Sequence, residues 1–283
     1  RGFLFSVTRA EQRMHVDSKI QMSTNAMIVV FGIAFMAISP TPLALAAGYA
    51  LGSALGTAAM FAAIRDRIPN LKRSFSRPLF NEIFLAAWPF TVLAISNVLI
   101  FNTDTLFLGH YSTPSEVGFY SAASRLVQMF YIIPSLIATS TFPVLVAKAS
   151  AGLSIRRTVT VLSAGLGALS LPLIAVMTAG SGTIVAILFG KEFAPAGLMV
   201  SILALSYIPV YVGAAMNNAV LARNMQGRFV AANLFGVAAN IALDFLLIPK
   251  YGGIGASIAS VVGLTVITVA TGILMGRRNV LGS

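Results

Sequence analysis

The chain has 283 residues, of which 57% are hydrophobic and only 10% are charged. Soluble domains carry about 25% charged residues, so this chain lacks the polar side chains that a water-facing surface needs. Soluble enzymes and soluble binding modules are therefore excluded, and the mean hydropathy of +0.88 predicts an integral membrane protein. The net charge of +11 is explained by cytoplasmic loops, which collect basic residues, so nucleic acid is not an expected partner.

Eight apolar runs are long enough to cross a bilayer, since a spanning helix needs about 20 apolar residues. They are 20–39, 43–64, 83–109, 117–147, 158–189, 196–222, 229–248 and 253–276. The sequence thus predicts an all-α polytopic membrane helix bundle. The fifth run is too long for one straight helix, and Pro172, Gly180 and Gly182 predict a kink with an interfacial end near 183–189.

Basic residues fall on alternate loops, which fixes the expected orientation. Nearly all Lys and Arg lie in 1–19, 65–82, 148–157, 223–228 and 277–278, whereas the intervening loops carry only Lys191 and Lys250. Both ends of the chain are therefore predicted to be cytoplasmic, in a multi-pass protein of the bacterial inner membrane.

Two helical segments resemble each other, which indicates an internal repeat. Each of 42–65 and 254–277 starts at a Pro- or Gly-marked turn, continues with small residues and ends at Arg. Their separation of six spans is typical of a transporter built from two parallel six-helix repeats. We therefore expect 1–80 to hold the last two helices of an incomplete first lobe plus a cytoplasmic loop, and 81–283 to form a complete second lobe. About four upstream helices would then be missing.

Three ionisable residues lie inside predicted spans, where a charge costs about 2.5–3.5 kcal/mol on insertion scales and indicates function by default. They are Asp104, Arg125 and Asp244. Asp104 and Arg125 lie at similar depth on neighbouring spans, so we predict an ion pair that either fastens this hairpin or also lines a cavity. Asp244 lies near the outer end of its span, where it could reach water.

Polar residues at helical spacing extend these faces. Asn97 shares a face with Asp104, Gln128 with Arg125, and Asn240 with Asp244. A further stripe on the sixth span consists of Tyr207, Tyr211 and Asn218. These residues either bind substrate or make interhelical and interfacial contacts. Pro89 should kink the third span and act as a hinge, because proline frees a backbone carbonyl.

Several motifs together resemble a known family. The stretch NTDTLFLGHYSTPSEVGFYSAASRL (102–126), the segment LFGKEF (188–193) and the segment NIALDFLLIPKYGGIGASIA (240–259) are similar to helices of bacterial polysaccharide flippases. These proteins belong to the multidrug/oligosaccharidyl-lipid/polysaccharide exporter superfamily. The resemblance implies a two-lobe (6+6) transporter that moves undecaprenyl-pyrophosphate-linked oligosaccharide across the cytoplasmic membrane by alternating access, for cell-surface polysaccharide synthesis.

The resemblance also implies roles for individual residues. Arg125, neutralised by Asp104 in the empty state, is predicted to contact the pyrophosphate. The whole predicted substrate site comprises Arg125, Asp104, Asn97, Gln128, Tyr207, Tyr211, Asn218, Asn240 and Asp244. The expected partners are the lipid-linked oligosaccharide, the bilayer and other polysaccharide assembly proteins. No cofactor is expected apart from a coupling ion, Na⁺ or H⁺.

Alternatives remain open at this point. Within the superfamily they are a multidrug cation antiporter, disfavoured by a cavity dominated by Arg125, and a peptidoglycan-precursor flippase. From another class, a membrane-bound glycan polymerase or ligase is disfavoured by the short outer loops and by the lack of a catalytic motif. The chain is therefore not predicted to be an enzyme.

Overall fold

The computed structural model describes residues 14–64 and 76–276. These residues form ten helices, joined in places by short 3₁₀ turns, and they contain no β-strand. In chain order the helices are α1 (Met14–Ile38), α2 (Pro42–Ile64), α3 (Arg77–Tyr111), α4 (Pro114–Gln128), α5 (Ile132–Ser150), α6 (Arg156–Ala179), α7 (Ser181–Phe189), α8 (Ala196–Ala204), α9 (Tyr207–Ala222) and α10 (Gln226–Gly276). The predicted all-α class is confirmed. The basic residues predicted at 1–13, 65–73 and 277–278 lie outside the described residues.

Among the described residues, seven helical stretches are long and apolar enough to cross a membrane. The last of them, Phe229–Gly276, has 48 residues and includes two predicted spans. Its backbone breaks at Gly252, where φ is 54° and ψ is −132°, a left-handed conformation that favours glycine. We call residues 226–251 α10a and residues 253–276 α10b.

The two halves of α10 lie antiparallel in close contact. A Cβ added to Gly255 would lie 2.6 Å from the Leu247 carbonyl oxygen, and one added to Gly263 would lie 2.7 Å from the Cβ of Asn240. The residues in contact therefore lie progressively farther from Gly252 along both helices, as in a hairpin. Since α10 is a hairpin, each of the eight predicted spans is helical, and the chain is a multi-pass membrane protein.

Two other predicted spans are also divided, and a third is continuous. The fifth span divides at Gly180, where α6 ends and α7 begins, whereas α6 continues through Pro172. The sixth span divides at Leu205–Ser206 between α8 and α9, which the sequence did not predict. Helix α3 is continuous through Pro89, which is buried, so a kink at this residue stays a prediction.

The chain divides into two compact units between Ile83 and Phe84. In the first unit, α1 and α2 form an antiparallel hairpin along Gly48, Gly52 and Gly56. A Cβ added to Gly48 would lie 2.7 Å from the Phe31 carbonyl oxygen, and one added to Gly52 would lie 2.7 Å from the Cα of Ile28. Small residues thus bring the two main chains together, as is common between membrane helices. The assignment of the units to two transporter lobes stays a prediction.

The second unit has its own core, in which α4, α8 and α9 meet. Its fully buried side chains include Tyr207, Tyr211 and Val200. Large apolar residues on the outside, such as Leu106 and Phe235, are exposed, as expected of a surface that faces lipid.

Candidate functional site

A buried polar cluster lies where α3, α4 and both halves of α10 meet. Asp104 of α3 is at its centre and is 1% exposed. The hydroxyls of Tyr120 and Ser260 both donate to its Oδ2, and the side-chain amide of Asn240 donates to its Oδ1 at 3.1 Å. The Tyr120 and Ser260 hydroxyls are also 3.0 Å apart. Four helical segments therefore converge on one carboxylate.

The second carboxylate of the cluster, Asp244, is fully buried and lies beside Asp104, with which it interacts electrostatically. Neither of its oxygens has a hydrogen-bond partner in the described part of the chain, and the same is true of Asn240 Oδ1. A buried polar atom without a partner costs about 1–3 kcal/mol, and more when charged. Three oxygens of the cluster thus lack a donor, and a bound cation, or for Asp244 a proton shared with Asp104, would satisfy them.

The hairpin of α10 positions these groups. Because Gly263 has no side chain opposite Asn240, α10a and α10b can approach closely enough for Asn240 and Ser260 to reach the same carboxylate. A Cβ on Gly263 would also lie 3.1 Å from Ile100 Cδ1 of α3. The glycine therefore brings three segments together at the depth of Asp104.

The predicted ion pair between Asp104 and Arg125 is not formed. Arg125 is exposed on α4, and among the described residues Asp104 is bonded by neutral donors instead. The prediction was wrong because similar depth on neighbouring helices does not fix the direction of a side chain. Tyr120, five residues earlier on α4, points to Asp104, whereas Arg125 lies on the exposed side.

The predicted stripe on the sixth span packs in the core. Tyr207 and Tyr211 are fully buried. Their hydroxyls donate to the carbonyls of Val127 at 3.2 Å and Phe130 at 3.0 Å. Pro134 cannot donate to the Phe130 carbonyl, which would be its helical partner, so Tyr211 replaces the missing bond. Both tyrosines therefore have the packing role weighed as the alternative.

The other predicted residues are divided between two small cavities and the core. Asn218 donates to the Ala138 carbonyl at 2.5 Å. Asn97 lines a cavity of about 140 Å³, and Gln128 lines a cavity of about 10 Å³ that also touches Tyr120 and Ser260. Of the nine predicted substrate residues, the structure brings only Asp104, Asn240 and Asp244 into one cluster.

Sequence reasoning missed Tyr120, Ser260 and Glu116. The first two complete the cluster, and their only signal was a hydroxyl within a predicted span. Glu116, expected to be a solvated loop charge, accepts the Gly253 backbone N–H at 2.9 Å and so ties the start of α4 to the α10 turn. The only signals for this contact are the carboxylate of Glu116 and the Gly252–Gly253 pair, which are distant from each other in the sequence.

Chemically, the cluster can hold a proton or a hard monovalent cation. All its free atoms are oxygens, which suit hard ions such as Na⁺ rather than soft metals. The described residues contain no group of three or more His, Cys, Asp or Glu side chains that could hold a metal ion. A charged cluster buried in a membrane bundle, without catalytic neighbours, is typical of transporters.

Comparison with known proteins identifies the family. Residues 6–198 match the model of a family described as "Polysaccharide biosynthesis protein". The match covers well over half of the chain, which therefore belongs to this family.

Two relatives from the archaeon Haloferax volcanii carry flippase names. The "probable flippase AglR" is 29% identical over 169 residues, which cover 57% of this chain and 35% of the relative. A "probable low-salt glycan biosynthesis flippase" is 25% identical over 169 residues, covering 59% and 36%. The matched region thus spans about a third of each relative.

The fold is that of a solved transporter. The structure of the lipid II flippase MurJ in an inward closed conformation matches 96% of this chain and 58% of its own, with a TM-score of 0.72 and 19% identity. At this identity the match shows the fold alone.

Proposed function

We propose that the whole protein is a flippase that moves a lipid-linked oligosaccharide across the cytoplasmic membrane by alternating access. The family match, the flippase names of two relatives and the transporter fold support this assignment. Undecaprenyl pyrophosphate is the proposed carrier, cell-surface polysaccharide the proposed product, and the basic loops face the cytoplasm. Translocation requires no covalent chemistry, so the proposal includes no catalytic residue.

The observation that carries the proposal is the buried cluster of Asp104, Asn240 and Asp244, in which both oxygens of Asp244 and Oδ1 of Asn240 have no donor in the described part of the chain. Flipping a polar cargo in one direction needs a driving force, because equal affinity on both sides shifts no equilibrium. A cation that binds this cluster in one conformation more tightly than in another would supply it. We propose Na⁺ as the coupling ion, because the free amide oxygen of Asn240 can ligate a metal ion beside the Asp244 carboxylate; a proton on that carboxylate is the alternative, which replacement of external Na⁺ distinguishes.

The proposed role of Arg125 is to contact the pyrophosphate. Its support is that Arg125 is exposed within a membrane-spanning stretch, where an arginine stays charged. Its fork matches phosphate oxygens in a bidentate manner. Asn97 and Gln128, each beside a small cavity, are the remaining candidates for contacts to polar cargo.

Export by the full-length protein in a flippase-null strain tests the proposal. Asp104→Asn and Asp244→Asn should abolish surface polysaccharide, and the wild-type activity should fall when external Na⁺ is replaced by K⁺. Glu192→Gln is the matched control, because Glu192 is exposed and lies outside the cluster. Normal export by both aspartate variants would overturn the coupling role.

Arg125 is tested in the same assay. Arg125→Ala should abolish export at normal membrane levels, and Arg125→Lys should retain part of the activity because the bidentate contact is lost. Normal export by Arg125→Ala would remove it from the substrate site.

A peptidoglycan-precursor flippase is the second candidate, since the solved neighbour carries that name. Growth of a strain depleted of its lipid II flippase separates the two. Rescue of growth without restoration of surface polysaccharide would favour the second candidate.

A further inference from the structure

A cavity of about 470 Å³ lies away from the carboxylate cluster, between the start of α6, α9 and the end of α10b. Its walls are mostly apolar and include Val159, Val212, Met216 and Met275, with Arg156 at one end. Gly272 and Ala164 leave room along the helices. We call it the α6 groove. A second hollow of about 370 Å³ lies beside it and shares Arg156 and Thr160.

Four cations surround the start of α6. Arg156 and Arg157 are exposed in its first turn, and Lys148 Nζ donates to Thr158 Oγ1 at 2.8 Å. Arg223 reaches the loop before α6 by donating to the Leu153 carbonyl at 2.9 Å, yet its buried Nε has no partner in the described part of the chain. The sequence contains no Asp or Glu between Glu116 and Glu192, so this region has no acidic residue of its own.

Helix α6 adds to the positive potential. Its N-cap position is Ile155, an apolar residue that makes no side-chain cap, so the helix dipole at this end is not offset by a local acid. A groove that is apolar along its length and cationic at one end matches an amphiphile with a hydrocarbon chain and an anionic head.

We propose that the α6 groove binds an anionic phospholipid, with an acyl chain along Val159, Val212 and Met216 and the phosphate at Arg156 and Arg157. The charge pattern places this end of α6 in the cytoplasmic leaflet, where anionic lipids accumulate. Basic pockets between membrane helices on that side are known to bind anionic lipid heads. The site is separate from the carboxylate cluster and does not depend on the identity of the flipped glycan.

Lipid retention by the purified full-length protein tests the site. Native mass spectrometry after exchange into phosphatidylglycerol or phosphatidylcholine should show retention of the former at much lower lipid concentration. The double variant Arg156→Gln/Arg157→Gln should weaken phosphatidylglycerol binding by about 25-fold, since each basic residue near an anionic lipid contributes about fivefold. Arg77→Gln, which changes an exposed cation at the start of α3, should have no effect.

A second variant tests the apolar part of the site. Gly272→Leu should fill the groove without a clash, because a Cβ there would lie 3.7 Å from Met216 Cε, an ordinary contact. It should abolish specific retention, whereas Gly165→Leu, at an open position outside the groove, should not. Equal retention of both lipids, or unchanged retention in both groove variants, would overturn the proposal. So would displacement of phosphatidylglycerol by undecaprenyl pyrophosphate at much lower concentration, because the groove would then belong to the carrier.

Discussion

The α1–α2 hairpin of the first unit and the α10 hairpin of the second unit have the same construction but different contents. Both are antiparallel, and in both glycines let the main chains touch, at Gly48 and Gly52 in one and at Gly255 and Gly263 in the other. In the repeat of 42–65 and 254–277, Ser260 corresponds to Gly48.

The partner helices differ in the same way. When the contact pairs of the two hairpins are aligned, Asn240 and Asp244 of one first helix are equivalent to Val29 and Ile33 of the other. One hairpin thus carries Ser260, Asn240 and Asp244 where the other has Gly48, Val29 and Ile33. Close packing of helices does not require the polar residues, so their presence in α10 fits the proposed coupling role.

Making the second hairpin resemble the first should have the largest effect. Asn240→Val with Asp244→Ile should abolish export, at least 100-fold, while the thermal stability of the purified protein stays equal or rises. The physical reason is that the change removes three buried unpaired oxygens, whose desolvation opposes folding, at the loss of one hydrogen bond, from Asn240 to Asp104. Surface polysaccharide, membrane level and melting temperature are the measurements. A large loss of stability would mean that the cluster is structural, and the comparison would fail.

The glycine contacts should matter equally in both hairpins. Gly48→Val and Gly263→Val each place a side chain within van der Waals distance of a facing helix, and overpacking of this kind costs about 1–3 kcal/mol. Both should lower the melting temperature in detergent, and Gly109→Val, in open space, should do so much less. Destabilisation by only one of the two glycine variants would show that the hairpins are not built alike.

The turns of the two hairpins differ, and Gly252→Ala measures that difference. An L-residue at the positive φ of Gly252 costs about 1–3 kcal/mol, and its Cβ would lie 2.9 Å from Glu116 Oε2. By contrast, the turn of the first hairpin, Ser39–Thr41, has no residue with positive φ, so Ser39→Ala should change the melting temperature little. Equal effects of the two alanines would contradict the role assigned to Gly252.

The smallest effects concern what holds each turn. Glu116→Gln weakens a charge-assisted bond to the Gly253 N–H and should cost about 1 kcal/mol. Thr41→Ala removes a cap in which the hydroxyl accepts from the Ala44 N–H at 3.2 Å and should cost about 0.5–1 kcal/mol. Both are read from the melting temperature. An unchanged melting temperature for Glu116→Gln would show that the α10 turn does not need its hydrogen bond to α4.

The sequence predicted the helices better than the cluster, for a physical reason. Hydropathy and Gly or Pro positions act locally, so the spans, the break at Gly180 and the turn near Gly252 were predicted. The partners of Asp104 depend on contacts between segments up to 156 residues apart. Helical periodicity places Arg125 and Tyr120 on one helix but does not decide which of them faces α3. The same limit applies to Tyr207 and Tyr211, whose hydroxyls bond carbonyls on other segments.

Main-chain contact at the glycine stripes also has a mechanical consequence. Where long side chains separate two helices, rotamer changes can absorb a shift of one helix past the other. At Gly255 and Gly263 no side chain separates the helices. A Cβ built on either glycine would lie within about 3 Å of a backbone atom or a Cβ of the facing helix. We therefore expect the α10 hairpin to move as one stiff unit, in which Asn240 and Ser260 keep their spacing.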